Sequence, residues 1–171
     1  RIRAALPLAP AGGFTEIDAD NVMAKALDFT WKREVPVLYI VAELDSILPL
    51  EGMQDMFNRN PEPKTTVVLL NADHFHFNDA IEQTHDGYKL MLGMLTEGMD
   101  EDARSSTEKM IAGMKPSSEL VAGADAYALI NGLGLAHFDR ELRGSQEAVS
   151  FLSGDLVARL AEHHINVKLL F

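Results

Sequence analysis

The 171-residue chain contains no cysteine. This absence excludes disulfide bonds, thiolate nucleophiles and cysteine-ligated zinc sites. It leaves the cellular compartment open, because reducing and oxidising environments both admit a chain without cysteine.

Basic residues are also scarce. Fifteen lysines and arginines against 26 aspartates and glutamates give a formal net charge of −11, with a pI of about 4.9. Such a surface repels nucleic-acid phosphates and anionic lipid, so we expect no nucleic-acid partner and no membrane partner. No apolar run approaches the roughly 18 residues that indicate a membrane-spanning helix.

The chain also lacks the sequence Gly-x-Ser-x-Gly, in which a sharp turn between a strand and a helix presents a catalytic serine. Ser46 directly follows an acidic residue, and Ser145 fits the N-cap position of a helix. Neither serine is predicted to be a nucleophile.

Hydrophobic residues make up 47% of the chain, which is enough to build a core. Apolar runs predict three strands, at about 3–8, 35–41 and 66–70, and helical periodicity dominates after residue 80. The second run is almost continuously apolar, which is typical of a strand covered on both faces. We therefore predict an α/β fold of about three parallel strands with flanking helices, in which 1–80 is rich in strands and 81–171 is mainly helical. The predicted helices include segments near 20–29, 50–60, 79–98 and 116–142.

Two ionisable residues follow the second and third predicted strands. Asp45 comes just after Val41-Ala42-Glu43-Leu44, and His74 follows the run that ends at Leu70. Since the carboxyl ends of neighbouring parallel strands form one rim, an acid and an imidazole placed there can meet. A carboxylate that orients a histidine is the acid and base part of a Ser-His-Asp triad.

Competing assignments exist for both residues. Asp45 also fits a turn or helix-cap carboxylate, and Glu43 and the more remote Asp18 are rival acids. His76 is a rival base, because residues two apart point to the same side of an extended chain.

The stretches 35–45 and 64–77 resemble the seventh and eighth strands of α/β-hydrolases, in particular dienelactone-hydrolase-like esterases. Residues 3–13 are similar to the sixth strand and its loop, and 135–144 to a late helix. The family's histidine with phenylalanine three positions later matches His74 and Phe77. The resemblance implies Asp45 as triad acid, His74 as triad base, a small-molecule ester or lactone substrate, and no cofactor.

In that family the nucleophile turn precedes the sixth strand, at which this chain begins. We therefore expect 1–171 to be an incomplete α/β-hydrolase domain, the C-terminal portion of a serine hydrolase, and to be inactive or nearly so alone. Its partner would be the missing N-terminal half, which supplies the nucleophile and the oxyanion N–H groups. Apolar surface and a strand edge left uncovered would favour homo-oligomers.

Two other functions fit the same residues. One is a noncatalytic, α/β-hydrolase-like binding protein. The other is a metal-dependent hydrolase that uses His74, His76 and Asp45 as ligands. The remaining histidines are predicted to be packing or surface residues, namely His85, His137, His163 and His164.

Overall fold

A computed structural model describes residues 2–10, 28–48 and 50–170. The chain is a mixed α/β protein that is mainly helical, with a small sheet. A 3₁₀ turn at His74–Phe77 follows the second strand, and a π-helical turn at Asp139–Arg143 extends the longest helix. Within these ranges the strands and α-helices are, in chain order, β1 (Val37–Ala42), α1 (Leu50–Arg59), β2 (Lys64–Leu69), α2 (Ile81–Leu95), α3 (Glu101–Gly113), α4 (Gly123–Phe138), α5 (Gln146–Ser153), α6 (Leu156–Ala161) and β3 (Val167–Leu170).

The sheet has the order β1-β2-β3. β1 and β2 are parallel, with Val37 opposite Lys64 and Ala42 opposite Leu69, whereas β3 runs antiparallel to β2. α1 forms the crossover between the two parallel strands. The loops that follow β1 and β2 therefore lie side by side at the same end of the sheet.

The second and third predicted strands are confirmed, and the first is reduced to two isolated parallel bridges with β1, at Ala5 and Leu8. Pro7 lies between them and has no N–H to donate to β1, although its carbonyl accepts a bond from the Ile40 N–H. The expectation of a wholly parallel sheet is wrong. The apolar tail contributes β3, which runs antiparallel to β2, and the Leu70 N–H after β2 bonds to the carbonyl of Asn166, just before β3.

All six residues of β1 are buried, as predicted for a strand covered on both faces. Successive side chains of a strand point to opposite faces, so the core has two parts. The cluster on one face, against α1, contains Val37, Tyr39, Val41, Met53, Met56, Phe57 and Val68. The cluster on the other face, against α4 and α6, includes Leu38, Ile40, Ala42, Val67, Leu69, Leu129, Leu133, Leu156 and Leu160.

The predicted helix at 116–142 begins later, at Gly123, and its π-helical extension ends at Gly144 in the left-handed conformation (φ 69°). The helix predicted near 20–29 lies almost entirely outside the described residues. Within the part of the chain that the structure describes, no helix combines the length and apolarity needed to cross a membrane.

Candidate acid–base site

Asp45 lies in the loop after β1 and organises that loop through its own side chain. Its Oδ1 accepts hydrogen bonds from the N–H groups of Ile47 (3.0 Å) and Leu48 (2.6 Å). This is the turn-forming role that the sequence left open for an Asp after a strand. The other oxygen, Oδ2, faces His74. Asp45 therefore combines the turn role and the histidine contact.

His74 begins the 3₁₀ turn after β2, and its Nδ1 lies 2.9 Å from Asp45 Oδ2. A carboxylate oxygen only accepts, so Nδ1 carries the proton of this bond and Nε2 is free of one in the neutral ring. The His74 side chain is 23% exposed, whereas that of Asp45 is 3% exposed. The hydrogen bond to Asp45 raises the pKa of His74, with a smaller contribution from the charge of Asp73, while burial opposes the shift.

His76, the rival base, is buried and has both ring nitrogens bound to the backbone. Its Nδ1 accepts the Asp73 N–H at 2.9 Å, and its Nε2 lies 2.8 Å from the Val121 carbonyl, to which it donates. Nδ1 also lies 2.9 Å from the Asp73 carbonyl, and the contact with Val121 joins the His74 loop to the segment before α4. A ring held in this way has no free nitrogen for a proton transfer or a metal ion.

Glu43, the rival acid, anchors two other segments. Its Oε2 accepts the N–H of Asn71, a residue in the left-handed conformation (φ 54°), and its Oε1 lies 3.0 Å from Lys168 Nζ on β3. These bonds hold the pKa of Glu43 below its usual value. Glu43 thus stabilises the loop after β2, and the other rival, Asp18, lies outside the described residues.

Asp73 was not among the residues that the sequence singled out for chemistry. It is 2% exposed, and its Oδ2 accepts a hydrogen bond from the N–H of Ser46, in the loop that carries Asp45, at 3.1 Å. It is also the N-cap of the His74–Phe77 turn, and the Asp73 N–H donates a hydrogen bond to the His76 ring. The signal available in the sequence was Asp-x-x-His, a capping pattern in which His takes the place of Glu or Gln.

Among the described residues, no other histidine forms a hydrogen bond or ion pair with Asp45 or His74. His85 and His137 are buried, and burial is the main cause that lowers the pKa of His137. His163 and His164 are exposed. Ser145 caps α5, as its sequence position predicts. Among the described residues, no group of three or more His, Asp or Glu is arranged to hold a metal ion.

A separate apolar cavity of about 310 Å³ lies beside the N-terminal segment and does not include Asp45 or His74. Its walls come from one edge of the sheet and the segment that precedes β1. The lining residues are Ile2, Ala5, Pro7, Trp31, Arg33, Val35, Val37, Tyr39 and Asn60.

Comparisons of the chain with protein-family models, with curated proteins and with solved structures gave no match. The resemblance to α/β-hydrolases therefore remains a prediction from the sequence.

Proposed function

We propose that the chain is the C-terminal portion of an α/β-hydrolase and supplies the acid and the base for hydrolysis of a carboxylic ester or lactone. The observation that carries the proposal is the 2.9 Å contact between Asp45 Oδ2 and His74 Nδ1. The two residues are 29 positions apart and meet because their loops follow adjacent parallel strands. This is the orientation in which a carboxylate fixes the histidine tautomer for acyl transfer.

The arrangement of the N-terminal segments supports the same proposal. The three stretches that resemble the sixth, seventh and eighth strands of the family run parallel and side by side, although the first makes only two bridges. The antiparallel β3 lies on the far side of β2 and does not separate the two loops.

The reaction proposed for the intact protein assigns one task to each residue. With its proton held on Nδ1 by Asp45, His74 takes the proton of an attacking serine hydroxyl on Nε2. It then donates this proton to the leaving alcohol and later activates the water that cleaves the acyl-enzyme. Asp45 stays ionised and stabilises the imidazolium. The serine and the oxyanion N–H groups would come from the N-terminal half.

Exposed apolar side chains also agree with a partner surface. Leu135, Phe138 and Leu142 lie at spacings of three and four residues and are 63, 36 and 42% exposed. In the proposed parent this surface would be covered by the rest of the protein.

The isolated chain should therefore self-associate as its concentration rises, which light scattering coupled to size exclusion would detect. A clean monomer at all concentrations would count against an incomplete domain.

The test is to express the full coding region, with whatever lies upstream of Arg1, and to assay hydrolysis of p-nitrophenyl acetate and labelling by a fluorophosphonate. We expect a Gly-x-Ser-x-Gly upstream, labelling of its serine, and a loss in kcat of about 10⁴-fold for Asp45→Asn and about 10⁶-fold for His74→Gln. His163→Gln, at an exposed position, is the matched control and should keep full activity.

An upstream turn without serine or cysteine, together with no labelling and no turnover, would reject the hydrolase and favour the noncatalytic binding protein. Activity that resists the fluorophosphonate but is lost on treatment with a chelator would instead favour a metal-dependent reaction.

A further inference from the structure

Asp73 carries a buried carboxylate that the proposed reaction leaves without a task. It lies between β2 and the His74–Phe77 turn, and only 2% of the residue is exposed. Burying a carboxylate in its charged form is costly unless hydrogen bonds compensate for the lost water. An aspartate buried to this extent therefore calls for a structural or functional explanation.

The bonds of this carboxylate extend beyond its own turn. Capping accounts for the bond from Phe75 N–H to Oδ1, which is long at 3.4 Å. The shorter bond, at 3.1 Å, goes from Ser46 N–H to Oδ2 and crosses to a residue 27 positions earlier in the chain. The capping box also includes a bond from the His76 backbone to the Asp73 side chain, and the bond from Ser46 is shorter than the one from Phe75.

Ser46 and Asp73 are the immediate neighbours of the acid and the base. The side chain of Asp45 meets the ring of His74, and the backbone of the next residue, Ser46, meets the side chain of the residue before His74. Two adjacent pairs of residues are therefore joined by two bonds. The backbone bond from the Leu44 N–H to the Ala72 carbonyl, at 2.8 Å, already joins the two loops on the strand side of Asp45. The bond from the Ser46 N–H to Asp73 joins them on the other side of Asp45, so the acid lies between two bonds that together fix its orientation toward His74.

We propose that Asp73 is a positioning residue for the acid–base pair: by holding the Ser46 N–H, it fixes the loop of Asp45 against the loop of His74. This role rests on the proposed function, in which the pair must keep one geometry through proton transfer. Asp73 acts through Asp45 and does not touch the reacting atoms.

A buried histidine, His85, lies on the other side of the Asp73 carboxylate. His85, which is fully buried on α2, has its Nε2 3.8 Å from Asp73 Oδ1, beyond hydrogen-bond distance. Among the described residues this nitrogen has no hydrogen-bond partner. In this geometry the Asp73 carboxylate accepts a hydrogen bond from Ser46 and none from the His85 ring.

The test follows the His74 ring by NMR in the 171-residue chain, through its titration midpoint and the downfield signal of the proton on Nδ1. Asp73→Asn keeps an oxygen for the Ser46 N–H but loses the charge, whereas Asp73→Ala loses the acceptor. Both are made alone and in an Asp45→Asn background. The matched control is Asp86→Asn, which removes an acid from the opposite nitrogen of His85 and leaves Ser46 untouched.

We expect Asp73→Ala to move the His74 midpoint to lower pH and to broaden or remove the Nδ1 proton signal, with partial rescue in Asp73→Asn. In the Asp45→Asn background the shift should be much smaller, because the acid that Asp73 positions is gone. Asp86→Asn should leave His74 unchanged. If Asp73→Ala fails to fold, judged by its circular dichroism and amide spectrum, Asp73→Asn carries the test.

Equal shifts with and without the Asp45 carboxylate would show that Asp73 acts only through its charge and would overturn the proposal. An unchanged His74 in both Asp73 variants would do the same. If Asp45→Asn alone leaves His74 unchanged, it is the acid–base pair, and with it the proposed function, that fails.

Discussion

The loop of the acid and the loop of the base are built in different ways. In the loop after β1, one residue both holds the loop together and contacts the base, because Asp45 accepts the N–H groups of Ile47 and Leu48 and also binds His74. In the loop after β2, the structural bonds are made by the neighbours of His74. Asp73 caps the turn, and His76 ties it to Val121.

This difference decides how each loop responds to substitution. Removing the acid should damage both the turn and the pair, whereas removing the base should damage the pair alone. Phe75 strengthens the second loop further, because its ring lies 5.6 Å from that of His85 and 5.0 Å from that of Tyr88 on α2. A histidine supported on both sides can take part in chemistry without a large cost to folding.

The largest effect is expected at Asp45. Asp45→Ala removes the acceptor for two backbone N–H groups and for His74, and should lower the free energy of unfolding by about 2–4 kcal/mol. Asp45→Asn keeps an oxygen for the turn and should cost about half as much. Urea unfolding followed by circular dichroism measures both values. Equal losses for the two variants would show that the turn bonds contribute little to stability.

The next largest effect is expected at His76. His76→Ala leaves the Asp73 N–H and the Val121 carbonyl without partners and opens a cavity, so we expect a loss of about 2–3 kcal/mol. The exposed His163→Ala should change stability by less than about 0.5 kcal/mol under the same conditions. A cost at His76 no larger than that of the control would show that this loop is held by other contacts.

Much of the fold can be predicted from the sequence, because strongly apolar runs and helical periodicity are local signals. β1, β2 and α1 follow from such runs, and the meeting of Asp45 with His74 follows from placing two strand ends at one rim. The direction of β3 could not be predicted in this way. Its four residues are too few for a clear period, and its pairing depends on the turn after α6.

The separate tasks of neighbouring polar residues could not be predicted either. His74 and His76 look alike in the sequence, and they differ only in what surrounds them: a carboxylate for one, and two backbone groups for the other. Glu43 and Asp45 differ in the same way. Long-range contacts such as those to Val121 and Lys168 leave no local pattern.

A smaller effect, dependent on pH, is expected at His74. Asp45 raises the pKa of His74 in the folded state, so the contact contributes stability that is fully present below the unfolded pKa of about 6.5 and is lost as pH rises through the raised pKa. His74→Gln should therefore cost more stability at about pH 5 than at about pH 8. Urea unfolding at both pH values measures the difference. A larger cost at the higher pH would contradict a raised pKa.

The smallest effect is expected at the ion pair between Glu43 and Lys168, which sharpens the comparison because Glu43 lies in the acid loop but supports the base loop. Both side chains are partly exposed, so Lys168→Met and Glu43→Gln should each cost about 0–1 kcal/mol, with less at high salt. Glu43→Gln keeps an acceptor for the Asn71 N–H, whereas Glu43→Ala does not and should cost about 1 kcal/mol more. The double variant Glu43→Gln/Lys168→Met should lose no more than either single one, since both remove the same pair. Additive losses in urea unfolding would instead show that the two side chains act independently, and that Glu43 supports the loop of the base through its bond to the Asn71 N–H and not through Lys168.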